Sequence, residues 1–179
     1  MEKIIIGFSR PKKWKPFAWL IMKGFGTPYD HVYVKFHSES LDRDIIYQAS
    51  KMMINFMGTV LFNLENIVVA EFEIEISPES KKALMQFAVD NAGKPYSIKE
   101  AFGLGLVRIC ELFGKKIKNP YKEGNSEYVC SILVDYILEK YADIGVKNDF
   151  ENADPKDVYD LLDLMSGQLG SGVTRSESR

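Results

Sequence analysis

The chain has 179 residues, 23 Lys and Arg against 25 Asp and Glu, and a formal net charge of −2. A hydrophobic share of 46% with 12% aromatics is enough for one continuous core at this length, and 27% charged residues without a long polar tract exclude general disorder. Near-neutral charge speaks against a nucleic-acid binder, no apolar run approaches the roughly 18 to 20 residues of a membrane-spanning helix, and two cysteines with two histidines fit no common structural zinc spacing. No metal and no cofactor are expected.

The first apolar stretch, within Met1–Arg10, is too short for a signal peptide, so a reducing compartment without a disulfide framework is expected. Ile4 to Phe8 reads as a buried strand. Residues 10–23 carry Arg10, Lys12, Lys13, Lys15 and Lys23 with no acid, interleaved with Trp14, Phe17 and Trp19. Peripheral contact with a membrane interface is one reading of that run; a solvated basic turn beside a short helix, Phe17 to Lys23, is the plainer one. Gly24, Gly26 and Pro28 end that helix. From His31 to His37 the residues alternate, with Val32, Val34 and Phe36 on one face and His31, Tyr33, Lys35 and His37 on the other. Asp44 to Ala49 forms the partner strand of a hairpin, and residues 51–62 are ambiguous between strand and helix.

Glu71, Glu73 and Glu75 alternate with Phe72, Ile74 and Ile76, the pattern of a half-buried strand with a wet face, since carboxylates spaced along a strand do not converge on one cation. Helices then take over. Ser77-Pro78-Glu79 starts one that runs to about Asn91. An apolar helical stretch follows over 98–117, and a third helix, capped by Ser126, reaches about Tyr141. Asp154-Pro155 opens a last one, to about Met165. From 166 to 179 the composition is that of a mobile tail. Strands first and helices second define one α+β domain over 1–165, an antiparallel sheet or small barrel packed against a helical layer.

Cys130 falls within the first turn or so of the third helix, where free N–H groups and the helix dipole favour a thiolate. The plainer reading is a small buried residue. His31, at a strand end, is placed to take the thiol proton. His37 lies about 20 Å further along at roughly 3.4 Å per residue and belongs to the surface. Gln48, on the neighbouring strand, offers an amide oxygen to orient the imidazole, whereas Tyr47 points to the other face. A redox pair of Cys110 with Cys130 is disfavoured, because Cys110 lies among Val107, Ile109 and Leu112.

Three stretches together resemble the circularly permuted branch of the NlpC-type papain-like cysteine peptidases, which includes YiiX-like proteins and, remotely, lecithin:retinol acyltransferase relatives. Tyr29-Asp-His-Val-Tyr-Val34 is similar to that family's Ser-His-Val strand, with Asp30 in place of Ser. Ile45-Ile-Tyr-Gln-Ala-Ser50 is similar to its third-residue strand. Tyr128-Val-Cys-Ser-Ile-Leu-Val134 is similar to its Cys-Ser-Glu-Leu helix start, with Ile132 where Glu is common. Ala92-Gly-Lys-Pro-Tyr-Ser97 adds a Gly-x-Pro-Tyr segment. The resemblance implies a permuted papain-like fold with Cys130 as nucleophile, His31 as general base and Gln48 as orienter. It also implies Tyr96 and Ser131 on the substrate and oxyanion side, with the Cys130 backbone N–H as an oxyanion donor. The activity it implies is thiol hydrolysis of an amide, such as a cell-wall peptide, or of an ester, in a protein of phage or bacterial character. A lipid-directed acyltransferase and a non-catalytic module, for instance a virion component in a larger assembly, are the alternatives. A cytoplasmic or virion-associated location is expected.

Overall fold

The computed structural model describes residues 1–50, 53–95, 114, 130–145 and 153–176. Six strands form one open antiparallel sheet: β1 (Glu2–Pro11), β2 (His31–Ser38), β3 (Arg43–Ser50), β4 (Met53–Gly58), β5 (Asn66–Ile76) and β6 (Val173–Ser176). Their lateral order is β4-β3-β2-β1-β5-β6. The described helices are α1 (Pro16–Phe25), α2 (Thr59–Glu65), α3 (Pro78–Asn91), α4 (Cys130–Ala142) and α5 (Pro155–Ser166), with a 3-10 turn at Glu39–Leu41. The α+β class expected from the sequence is what forms, and the sheet is open rather than closed into a barrel.

The alternation in the sequence decides the layers. Ile4, Ile6 and Phe8 of β1, Val32, Val34 and Phe36 of β2, and Ala70, Phe72, Ile74 and Ile76 of β5 face a single core. That core is closed by Leu84 and Ala88 of α3, Leu133, Val134, Ile137 and Leu138 of α4, and Val158 and Leu162 of α5. Phe8 anchors it, with its ring centroid 5.0 Å from Tyr29, 5.1 Å from Tyr159 and 5.9 Å from Phe72. Edge-to-face aromatic contacts of this kind add about 0.5–1.5 kcal/mol each beyond simple burial.

The other sheet face carries a smaller core, in which Tyr33 and Ile46 meet Phe62 of α2, flanked by Met57 and Val68. Here Gly7 matters. A Cβ at position 7 would come 2.1 Å from Tyr33 Cζ, so the phenol ring lies flat on the β1 backbone where no side chain fits. Tyr33 then reaches across β1 to donate its hydroxyl to Glu71 Oε1 at 2.8 Å, and Lys35 Nζ pairs with the same carboxylate at 2.7 Å. Glu73 pairs with Lys3. The glutamates of β5 therefore sit on the polar side of the strand, as the alternation indicated, but two of the three are held by lysines.

Local chemistry sets the helix ends. Ser77 Oγ accepts from Ser80 N at 3.0 Å, with Pro78 in the first turn. Asp154 accepts from Lys156 N at 2.8 Å and Asp157 N at 2.9 Å, while Asp157 accepts from Asp154 N at 3.1 Å, a reciprocal capping box. Gly26, at φ +65°, closes α1. The ambiguous stretch 51–62 divides in two, its described part forming β4 and most of α2. The tail expected from residue 166 is corrected in part: Val173–Ser176 pairs with Glu71–Ile74 as the sixth strand, and Arg175 bonds Asp163 at 2.9 Å. A Gly- and Ser-rich composition concealed this strand because an edge strand draws its partners from a distant ladder. The expected helix over 98–117, Cys110, and the Ser126 cap lie outside the described residues, Gly114 apart.

Candidate active site

The ladder between β2 and β3 pairs Val34 with Tyr47 and ends there. Beyond it, the first residues of β2 and the last of β3 are not laddered to each other, although β2 stays paired with β1 down to His31 opposite Ser9. The sheet is thus slit between β2 and β3 at one end. Two features lie at that end: a side-chain bridge from His31 to Gln48, and the first described residue of α4, Cys130, which the Val32 backbone N–H reaches.

His31 Nε2 and Gln48 Oε1 are 2.8 Å apart. Gln48 Nε2 donates onward to Asn55 Oδ1 at 3.3 Å, with Met57 Sδ at 3.9 Å. Asn55 Nδ2 in turn donates to the carbonyls of Ser50 at 3.1 Å and Met53 at 3.2 Å. Those carbonyls can only accept. They fix the Asn55 amide with its nitrogen toward the β3–β4 turn and its oxygen toward Gln48, and Gln48 must then present its oxygen to the imidazole. It follows that His31 carries its proton on Nε2 and leaves the Nδ1 lone pair free to take a proton. Asn55 is a further member of this hydrogen-bonded cluster, one that the sequence reading did not single out. Its only sequence signal is its place seven residues after Gln48, on the strand that pairs with β3.

Cys130 is the first described residue of α4 and is 5% exposed. Burial pushes its thiol up to about 11; the Val32 backbone N–H pulls the other way, the Asp30 carboxylate adds to the rise, and the N–H groups of Ser131 and Cys130 itself lower it. The sulfur therefore lies against the β2 backbone one residue from His31, at the open end of the ladder. Burial lowers the His31 imidazole to about 4; the Gln48 hydrogen bond opposes this and the Lys15 charge reinforces it. Thiol and imidazole are accordingly both neutral at pH 7.

Asp30 is the third titratable group here. Burial raises its carboxyl to about 6, against the opposing effects of its own backbone N–H and of Lys15, and its Oδ1 is buried with no hydrogen-bond partner among the described residues. Ser131 is fully buried, and its hydroxyl likewise has no partner among the described residues. What it supplies at the sulfur is its main-chain N–H. Tyr96 lies outside the described residues. His37 is exposed and bonds Asp44 at 3.0 Å, away from the site. Among the described residues no cluster of His, Cys, Asp or Glu could hold a metal ion.

His31, Gln48 and Cys130 are thus gathered at one end of the sheet from β2, β3 and α4. Compared with known proteins, the sequence matches no family model, and no curated protein matches it.

Proposed function

We propose that this protein is a thiol hydrolase of the permuted papain-like kind, opening an amide or ester bond through an acyl-enzyme on Cys130. The observation that carries the reading is the 2.8 Å His31–Gln48 hydrogen bond with its onward relay, which leaves Nδ1 unprotonated on the residue next to Val32, whose backbone N–H reaches the Cys130 sulfur. In the reaction, Sγ attacks the substrate carbonyl carbon as its proton passes to His31 Nδ1. The C–N or C–O bond breaks, the leaving amine or alcohol takes that proton, and a thioester remains. Water then gives a proton to Nδ1 and attacks the thioester, releasing the acid and restoring the thiol. Because both partners rest neutral, proton transfer accompanies attack, as in general-base catalysis, instead of preceding it as a stored ion pair. Gln48 holds the ring but brings no negative charge to stabilise the imidazolium.

A second reading, a papain-like module without catalysis, draws support from the same burial: a thiol pushed to about 11 is a weak nucleophile at neutral pH. A thiol-directed acyl probe separates the two. A hydrolase gives stoichiometric acylation mapped to Cys130, abolished by Cys130→Ala and slowed about a hundredfold or more by His31→Ala, the usual scale of a lost general base. Labelling that is absent from the wild-type protein, or indifferent to His31→Ala, overturns the proposal in favour of the module.

A further inference from the structure

On the sheet face opposite α4, exposed apolar side chains and a run of cations meet along one edge. The short helix α2 buries Phe62 and turns Val60 (79% exposed), Leu61 and Leu64 (68% exposed) to solvent. The basic loop leaves the sheet at the C-terminal end of that helix. Arg10 pairs with Ile67 and Pro11 with Asn66, and Lys12 N donates to the Glu65 carbonyl at 2.9 Å. Trp14, in this loop, is 74% exposed, and Trp19 of α1 is also exposed. Lys12 and Lys13, the first two residues of the loop, form no ion pair among the described residues.

We infer that this edge docks on an anionic phospholipid surface. Trp14, Val60, Leu61 and Leu64 enter the interface, and Lys12 and Lys13 meet the lipid phosphates. The charge pattern selects the partner. Five cations and no acid lie between residues 10 and 23 of a chain whose net charge is −2, so the basic character is local and not a property of the whole surface. A second copy of the chain would set like charges against each other, whereas an anionic bilayer complements the cations and takes up the aliphatic and indole groups beside them. Among the described residues no helix is long and apolar enough to cross a membrane, and the contact proposed is a peripheral one. The inference stands apart from the hydrolase reading, because it needs neither Cys130 nor His31.

The test is sedimentation of the full chain with phosphatidylcholine vesicles made with and without phosphatidylglycerol, together with tryptophan emission. Binding to the phosphatidylglycerol vesicles only, weakened by salt and accompanied by a blue shift, is expected. The pair Lys12→Gln and Lys13→Gln should cut partitioning about thirtyfold, close to fivefold per charge. Val60→Ser with Leu64→Ser should cut it as well while the far-ultraviolet circular dichroism stays unchanged; both side chains are exposed, so folding does not depend on them. Failure to bind either vesicle, equal binding to both, or binding that survives both variant pairs overturns the inference. Concentration-dependent dimerisation abolished by Val60→Ser with Leu64→Ser, in protein that ignores vesicles, would assign the edge to a second copy instead.

Discussion

Replacing Gln48 by Glu exchanges one acceptor for another at nearly the same position, 2.8 Å from His31 Nε2, and adds a negative charge. An opposite charge at this range typically raises a histidine pKa by about one to three pH units, each worth about 1.4 kcal/mol of preference for the imidazolium. Starting from about 4, His31 in Gln48→Glu is therefore expected to titrate near its ordinary value of about 6.5. The substitution also costs something, since the carboxylate cannot donate to Asn55 Oδ1, and that amide must turn and release the Ser50 and Met53 carbonyls. Losing two or three neutral hydrogen bonds of about 1 kcal/mol each sets a stability penalty of about 1–3 kcal/mol at pH 7. Ring-nitrogen and ring-proton shifts of labelled protein, followed against pH, read the titration directly, and His37 is the only other histidine to assign. A wild-type His31 that titrates near 6.5, or a Gln48→Glu protein whose His31 still titrates near 4, would refute the account of burial and of the bridge.

The relay predicts a tautomer: wild-type His31 should show Nε2 protonated and Nδ1 bare, and Asn55→Ala, by freeing the Gln48 amide to turn over, should mix the two tautomers in the same spectra; a wild-type ring protonated on Nδ1 would contradict it. Two partly buried groups oppose each other in acid. The lowered pKa of His31 contributes stability that is present above about 6.5 and lost as pH falls through about 4, whereas the raised pKa of Asp30 contributes stability that is fully present below 3.8 and lost as pH rises through about 6. Asp30→Asn should consequently make the protein lose more stability than wild type between pH 7 and about pH 4, by a few kcal/mol in urea unfolding, and equal losses in the two proteins would discount the burial of Asp30. Finally, Gly7→Ala should lower stability by about 1–3 kcal/mol or more, because the new methyl displaces the Tyr33 ring from the β1 backbone; an unchanged melting temperature would mean that the ring is not seated there.

Much of the fold is legible in the chain because it rests on local rules. The period of two in 31–37 and 71–76 sorts the residues of β2 and β5 to the two faces of the sheet. Ser77 and Asp154 cap helices through hydrogen bonds that reach no further than three residues. His31 and Gln48 could be picked as partners because adjacent antiparallel strands bring side chains on one face together. What the tertiary structure alone decided is non-local. The β2–β3 ladder stops at Val34 and Tyr47, and no single-strand pattern encodes where two strands part; yet beyond that end point the Val32 N–H is turned toward Cys130. Asn55 became visible only once the hairpin register set it opposite Gln48. Val173–Ser176 became a strand because β5 offered an unpaired edge, not because its own residues demand one. Burial is likewise collective. The sequence places a thiol at a helix start, where the dipole alone would lower its pKa, but packing against the sheet removes water from it, and that loss outweighs the dipole and leaves the thiol protonated at neutral pH.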